Sequence, residues 1–164
     1  MPLRNELLAT LPRVVYGRMQ AHLEPVTLTF GEVLYEPEEA IRHVYFPIDS
    51  LVSLLTVVDR HLALEVGMVG PEGMVGVAFA LGMLASPVRA LVQGAGAATR
   101  MKATRFRAVF KESEALRRQV LLYTHALMAQ VAQTAACNRF HVVEARLARW
   151  LLMTRDRSAP TSFA

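Results

Sequence analysis

Val69-Gly70-Pro71-Glu72-Gly73-Met74-Val75-Gly76-Val77, followed across a short apolar segment by Val88-Arg89-Ala90, separates two kinds of pattern in this chain. Upstream, apolar and polar residues alternate at the period of a half-buried strand. Downstream of Met101, apolar residues recur at steps of three and four, the period of a helix. Glycines at 67, 70, 73 and 76, with Pro71 among them, exclude a helix interior here. A segment built this way turns tightly between strands, or lets backbone N–H groups cradle an anion.

Toward the N-terminus, Val26-Thr27-Leu28-Thr29-Phe30 alternates and stops at Gly31, and Val33-Leu34-Tyr35 is a short strand stopped by Glu36-Pro37-Glu38-Glu39. Residues 43–47 and 51–58 are strands separated by a turn at Pro47-Ile48-Asp49-Ser50. Asp59-Arg60 reads as a hairpin turn into a strand over residues 61–66. Beyond the glycines, residues 89–92 and 97–101 are further strands. Several short strands punctuated by turns predict an all-β sandwich, barrel or jelly roll. Ahead of them, residues 5–11 and 13–22 have helical spacing, with Pro12 at the start of the second piece, where a missing N–H costs little.

Toward the C-terminus, Thr104 is placed to cap a short helix ending at Lys111. Ser113 is a good N-cap for a long one, with Glu114 in its first turn matching the helix dipole. No Gly or Pro follows until beyond Asn138. Leu116, Val120, Tyr123, Leu127 and Val131 form one apolar stripe on this helix, and Leu121, His125, Met128, Ala132 and Ala136 form a second. Two stripes require two partners: the chain's own β-domain and, most simply, a second copy packed as in a coiled coil. The first stripe is the expected homodimer interface. His141 is expected to cap a last helix whose apolar side is Val143, Leu147, Trp150, Leu151 and Met153, and residues 157–164 read as a polar tail without structure.

Composition narrows the function. The 164 residues are 53% hydrophobic and 20% charged, which fits a globular chain rather than a disordered one. No apolar run reaches the roughly 18 residues that cross a bilayer, and no membrane partner is expected. The first residues carry Arg4 and Glu6 among leucines, unlike a secretion signal, so cytoplasmic residence is the default expectation. The single cysteine, Cys137, excludes an intrachain disulfide and a four-cysteine iron–sulfur site, and it reads as a small buried residue in Ala135-Ala136-Cys137. His22, His43, His61, His125 and His141 show no metal-ligand spacing, so no metal is expected. No nucleophile–base order, paired acids or phosphate-binding loop of the nucleotidase type occurs, so no catalytic residue is assigned and no enzyme is expected. The net charge of +4 is uneven. Arg139, Arg146, Arg149, Arg155 and Arg157 crowd the C-terminal end, either attracting nucleic acid or forming the polar face of an amphipathic helix.

Three segments, taken in order, carry a family likeness: Ile41-Arg42-His43-Val44-Tyr45-Phe46-Pro47, Glu72-Gly73-Met74-Val75-Gly76 and Glu144-Ala145-Arg146-Leu147-Ala148-Arg149-Trp150-Leu151-Leu152. The chain resembles the Crp/Fnr superfamily of bacterial transcription regulators up to about Arg155. The resemblance implies an α+β fold, mainly an antiparallel β jelly roll of the cyclic-nucleotide-binding type over residues 1–112, flanked by N-terminal helices. It implies a dimerisation helix over 113–138 and, over 139–156, the start of a DNA-binding domain whose winged-helix reader is largely absent. Residues 157–164 remain as the tail.

In members of that superfamily that bind cyclic AMP, a cassette reading roughly Phe-Gly-Glu, a short helix, then Arg-Ser-Ala supplies a ribose carboxylate and a phosphate guanidinium. Here Val75-Gly76-Val77 stands where Phe-Gly-Glu would, with valine in place of the carboxylate. Where Arg-Ser-Ala would stand, the register is open: with the strand in phase Arg89 faces outward, and with a slip of one it takes the phosphate position beside Ala90. Gln130 and Val131 lie near the expected base contact. Val75, Gly76, Val77, Arg89, Ala90 and Gln130 are therefore the candidate ligand positions of a degenerate cassette. No cofactor is expected, and cyclic nucleotide is the minor alternative. Otherwise the pocket is empty, filled by Phe79, Leu81, Met83 and Leu84, or adapted to an apolar effector; Met68, Met74 and Met83 make a deformable lining but read most simply as plain hydrophobic core. In this superfamily haem ligation is open to His43 or His61. The resemblance implies an effector-sensing and dimerisation module that reaches DNA only through the missing reader. The alternative is a stand-alone interaction protein that pairs with a full-length relative.

Overall fold

The structure, a computed structural model, describes residues 5–59 and 62–157. The chain begins with two short helices, α1 (Glu6–Ala9) and α2 (Arg13–Gln20). Five strands follow, β1 (Glu24–Leu28), β2 (Val33–Tyr35), β3 (His43–Pro47), β4 (Leu51–Val57) and β5 (Ala63–Val69). One helical turn, α3 (Val77–Ala80), precedes β6 (Arg89–Gly94) and β7 (Gly96–Lys102), and the chain closes with α4 (Ala103–Glu112), α5 (Glu114–Phe140) and α6 (Val143–Arg157). The strands make two antiparallel sheets, β1-β7-β3 and β2-β6-β4-β5. This is the expected jelly roll with flanking helices.

Alternation explains the sheets. In β6, Ala90 and Val92 are fully buried while Arg89 and Leu91 lie outward; in β3, Val44 and Phe46 point in. A second apolar cluster joins α1, α2, α4 and the first half of α5 to the β3–β7 side through Met19, Phe46, Phe106, Leu116 and Val120. Asn5 stitches helices and roll together. Its Oδ1 accepts from the Leu8 N–H at 3.1 Å as the α1 N-cap, and its Nδ2 donates to the Pro47 and Gly73 carbonyls at 2.9 and 2.7 Å.

Several boundaries differ from expectation, each for a local reason. β1 ends at Leu28 because the Glu32 carboxylate accepts from the Thr29 N–H at 3.0 Å and makes a turn, leaving Phe30 exposed. β5 starts later and runs further than residues 61–66, with an irregularity where Leu54 faces Gly67 and Leu55 faces Glu65. Arg60 and His61, expected in the preceding turn and strand, lie outside the described residues. Thr104 is not a cap; α4 begins at Ala103 after Lys102, whose side chain makes no capping bond. Ser113 caps α5 as expected, its Oγ accepting from the Leu116 N–H at 3.2 Å. His141 ends α5 rather than starting α6, its N–H donating to the Cys137 carbonyl. Arg157 belongs to α6 and is bonded, not part of a tail; residues 158–164 of that expected tail lie outside the described residues.

Candidate functional site

The glycine-rich segment leaves β5 and passes under α5. Gly73 lies so close to the Tyr123 ring that a Cβ there would overlap it. Val75, 1% exposed, is paired with Tyr45 in an isolated bridge, its N–H donating to the Tyr45 carbonyl at 2.8 Å. Gly76 has φ +99°, a left-handed conformation that starts α3 and favours glycine there. Val77 is the first residue of α3 and packs against the core on both sides of the roll. The segment thus has a strand–turn–helix shape, and the side chain that opens the helix, Val77, is apolar.

The strand after α3 resolves the open register. Ala90 faces inward and Arg89 outward. Arg89 Nε donates to Glu36 Oε2 at 2.8 Å in a partly exposed ion pair, away from Gly76. The space behind Ala90 is taken by Tyr35, its partner across β2 and β6, which is 4% exposed. Burial pushes the Tyr35 phenol well above the usual range; the charge of Tyr45 adds to this, and hydrogen bonds with the Gly76 backbone and the Ser86 hydroxyl oppose it. The buried Tyr35 phenol thus lies beside Gly76 and Ser86, within the roll. Of the expected filling residues only Phe79 points inward, with the Arg107 guanidinium 4.2 Å over its ring; Leu81, Met83 and Leu84 are exposed. Met68 and Met74 are buried and Met83 is not.

Gln130 is engaged elsewhere. Its Oε1 accepts from the Met68 N–H at 2.6 Å and its Nε2 donates to the Met68 carbonyl at 3.2 Å. β5 is an edge strand, and this amide pairs with its free edge. Tyr123, an inward residue nearer the start of α5, has a phenol without a hydrogen-bond partner. Burial, then the nearby Glu72 carboxylate, pushes its pKa far up.

The stripes of α5 divide differently from the expected assignment. Leu116 and Val120 are fully buried in the chain's own core, Leu127 and Tyr123 pack into the sandwich, and Val131 lies near Gly67 of β5. These five, expected to face a partner, lie against the chain's own helices and β-domain, with Tyr123 and Val131 only half-buried. The other stripe, Leu121, His125, Met128, Ala132 and Ala136, is exposed. Sequence periodicity finds both stripes and ranks neither.

Compared by sequence, the chain matches no family model and no curated protein. Compared by structure, it resembles the c-di-GMP responsive global regulator CLP of Xanthomonas campestris at 15% identity and a TM-score of 0.73, over 93% of this chain and 76% of that one. It also resembles FixK2 of Bradyrhizobium japonicum at 13% identity and a TM-score of 0.72, over 85% of this chain and 69% of that one. A third match is the regulatory domain of Toxoplasma gondii protein kinase A, crystallised with cyclic AMP, at 13% identity and a TM-score of 0.60, over 74% and 45%. The chain has the fold that these three proteins share. At the glycine-rich loop and the strand after it, the side chains are the apolar Val77, the buried Tyr35 and the outward Arg89.

Other candidates fall into place around it. His43 is partly buried beside Tyr45, and burial, then Arg100, lowers its pKa. His125 is exposed on α5, and His61 lies outside the described residues. Cys137 is buried and free, accepting from Gln133 Nε2 at 3.5 Å. Among the described residues no group of His, Cys, Asp and Glu could hold a metal, and no helix is long and apolar enough to cross a membrane. Sequence reasoning missed Tyr35, because its inward direction depends on the irregular pairing of β2 with β6. It also missed the ion pair of Glu72 with Arg157, which lie at 2.7 Å although far apart in the chain.

Proposed function

We propose that this chain is the effector-sensing and dimerisation module of a Crp/Fnr-type transcription regulator working in the cytoplasm, and that it does not use the cyclic-nucleotide chemistry of the cassette. The observation that carries the reading is the division of α5: one stripe completes the sensor core and the other, with Leu121 and Met128 at 53% and 66% exposed, is left open along the same helix. An apolar stripe on a two-sided helix is covered most simply by its own symmetry mate, and the small Ala132 and Ala136 let two helices approach. A signal that shifts the sensor core then moves the helix that both copies share. Residues 139–156 would open the DNA-binding region. Three of the four α6 arginines are engaged within the chain, Arg149 with Thr134, Arg155 with Asp156 and Arg157 with Glu72, and the fourth, Arg146, is half-buried, so little basic surface is offered here and this stretch alone forms no operator-specific complex.

Sedimentation of the chain and of Met128→Glu tests the reading. A homodimer at micromolar concentration, weakened by roughly 100-fold or more in the variant with an unchanged fold, is expected. A parent chain that stays monomeric at tens of micromolar, on the order of its highest working concentration, would overturn it. A second reading, a stand-alone chain that pairs with a full-length relative, is favoured by the outward Leu147, Leu151 and Leu152 on α6. Subunit exchange with such a relative separates the two.

A further inference from the structure

We propose that Glu72 and Arg157 form a clasp that holds α6 down on the sensor roll, so that opening this one contact frees the helix as a unit. Glu72 lies in the glycine-rich loop and Arg157 in the last turn of α6. Arg157 Nε donates to Glu72 Oε1 at 2.7 Å, while its NH1 donates to the Met153 carbonyl of its own helix at 3.1 Å. The guanidinium is therefore oriented by α6 and engaged by the loop. The two side chains are 18% and 32% exposed, against 60% and 69% for the pair Arg18–Glu112, so solvent screens the clasp less. Gly70 admits the Arg157 stem; a Cβ there would sit 3.0 Å from the Arg157 Cβ. The Gly70 N–H also donates to Glu72 Oε1 at 3.3 Å, which ties the carboxylate to the loop.

Little else secures the helix. No residue of α6 is fully buried. Arg149 NH1 donates to Thr134 Oγ1 at 3.1 Å, and Thr154 Oγ1 lies 3.9 Å from the Met68 sulfur. Two grooves open to solvent, of about 360 and 340 Å³, run along α6, one against α5 and β5 and one against α5 and the Glu72 loop, and Arg149 and Met153 line both. Their walls mix Glu65, Glu72 and arginines with apolar carbons, the lining of a solvated seam rather than of a pocket for one kind of charge. An element held by a few directional bonds along a solvated seam opens at low free energy, and the strongest bond governs that opening.

The clasp also has a route to the sensor. Tyr123 of α5 packs on Gly73, next to Glu72, and Glu72 Oε2 and the Tyr123 hydroxyl are both buried without a hydrogen-bond partner. A shift of the loop or of α5 therefore moves the carboxylate that Arg157 needs. As a path from sensor to DNA reader the clasp rests on the function proposed above; as a contact within one chain it does not.

Hydrogen exchange of the α6 amides, together with acrylamide quenching of Trp150, the single tryptophan, tests it in the full chain. Glu72→Gln and Arg157→Gln should each speed exchange across the last two turns of α6 roughly tenfold and raise quenching of Trp150. The double variant should add little to either single one, while β4 and α5 keep their protection. Glu72→Gln is the decisive variant because it leaves the intrinsic helicity of α6 unchanged. If it loosens the roll itself, Arg157→Gln, remote from the roll's core, decides instead. Exchange in α6 within about twofold of the parent, or fully additive effects, would overturn the clasp, and both results can be read in a Met128→Glu monomer if the chain dimerises.

Discussion

The interior of the roll at the cassette and the joint beneath α6 sit on either side of the same glycine-rich loop, and they are built in opposite ways. At the cassette, Tyr35, Phe79, Val75 and Ala90 leave almost no exposed surface, and Tyr35 meets the Gly76 backbone and the Ser86 hydroxyl. At the joint, no α6 residue is buried, two grooves stay open to solvent, and an ion pair at 2.7 Å is the closest link. Close packing resists small displacements, whereas a joint held by a few polar bonds yields to them. The interior of the roll is here the closely packed region, and the yielding one is the seam with the last helix.

Three substitutions sharpen or break that contrast. The largest effect is expected from Tyr35→Ala, which should cost about 3–4 kcal/mol in denaturant unfolding, because it leaves a void in a packed interior. The same variant should take up no cyclic AMP by calorimetry up to about millimolar concentration, since Val77 supplies no carboxylate and Arg89 stays with Glu36. Micromolar binding would mean that Tyr35 alone closes an otherwise competent site. Gly73→Val comes next, at about 2–3 kcal/mol, because any side chain at 73 meets the Tyr123 ring. A cost under about 0.5 kcal/mol would show the loop to be as loose as the joint beside it. The smallest effect is expected from Gln130→Leu, about 1 kcal/mol with faster exchange at Met68, because one edge-strand N–H and carbonyl lose their side-chain partner.

Much of this architecture is legible in the residues. The alternation of residues 43–47 and 51–57 and the unbroken helical spacing after Ser113 reflect local periodicities that burial of one face imposes directly. That Val77 offers no carboxylate is equally plain, since it is a matter of residue type. Periodicity alone cannot say which stripe of α5 faces inward, because two apolar stripes at the same spacing look alike until one meets the β-domain. Tyr35 escapes a sequence reading because its strand is only three residues long and its pairing with β6 is irregular.

The sequence by itself determined a set of short strands punctuated by turns, followed by a long two-faced helix. Those properties follow from period, which is local; the choice of jelly roll over other sandwiches or barrels came only from the resemblance. Only the tertiary structure decided which way Arg89 points, which stripe of α5 stays open, and that Gln130 caps the edge of β5. It alone brings Arg157 to Glu72 at 2.7 Å. Each of these depends on the register of one strand or on the docking of one helix, and contacts between residues so distant in the chain leave no periodic trace in it.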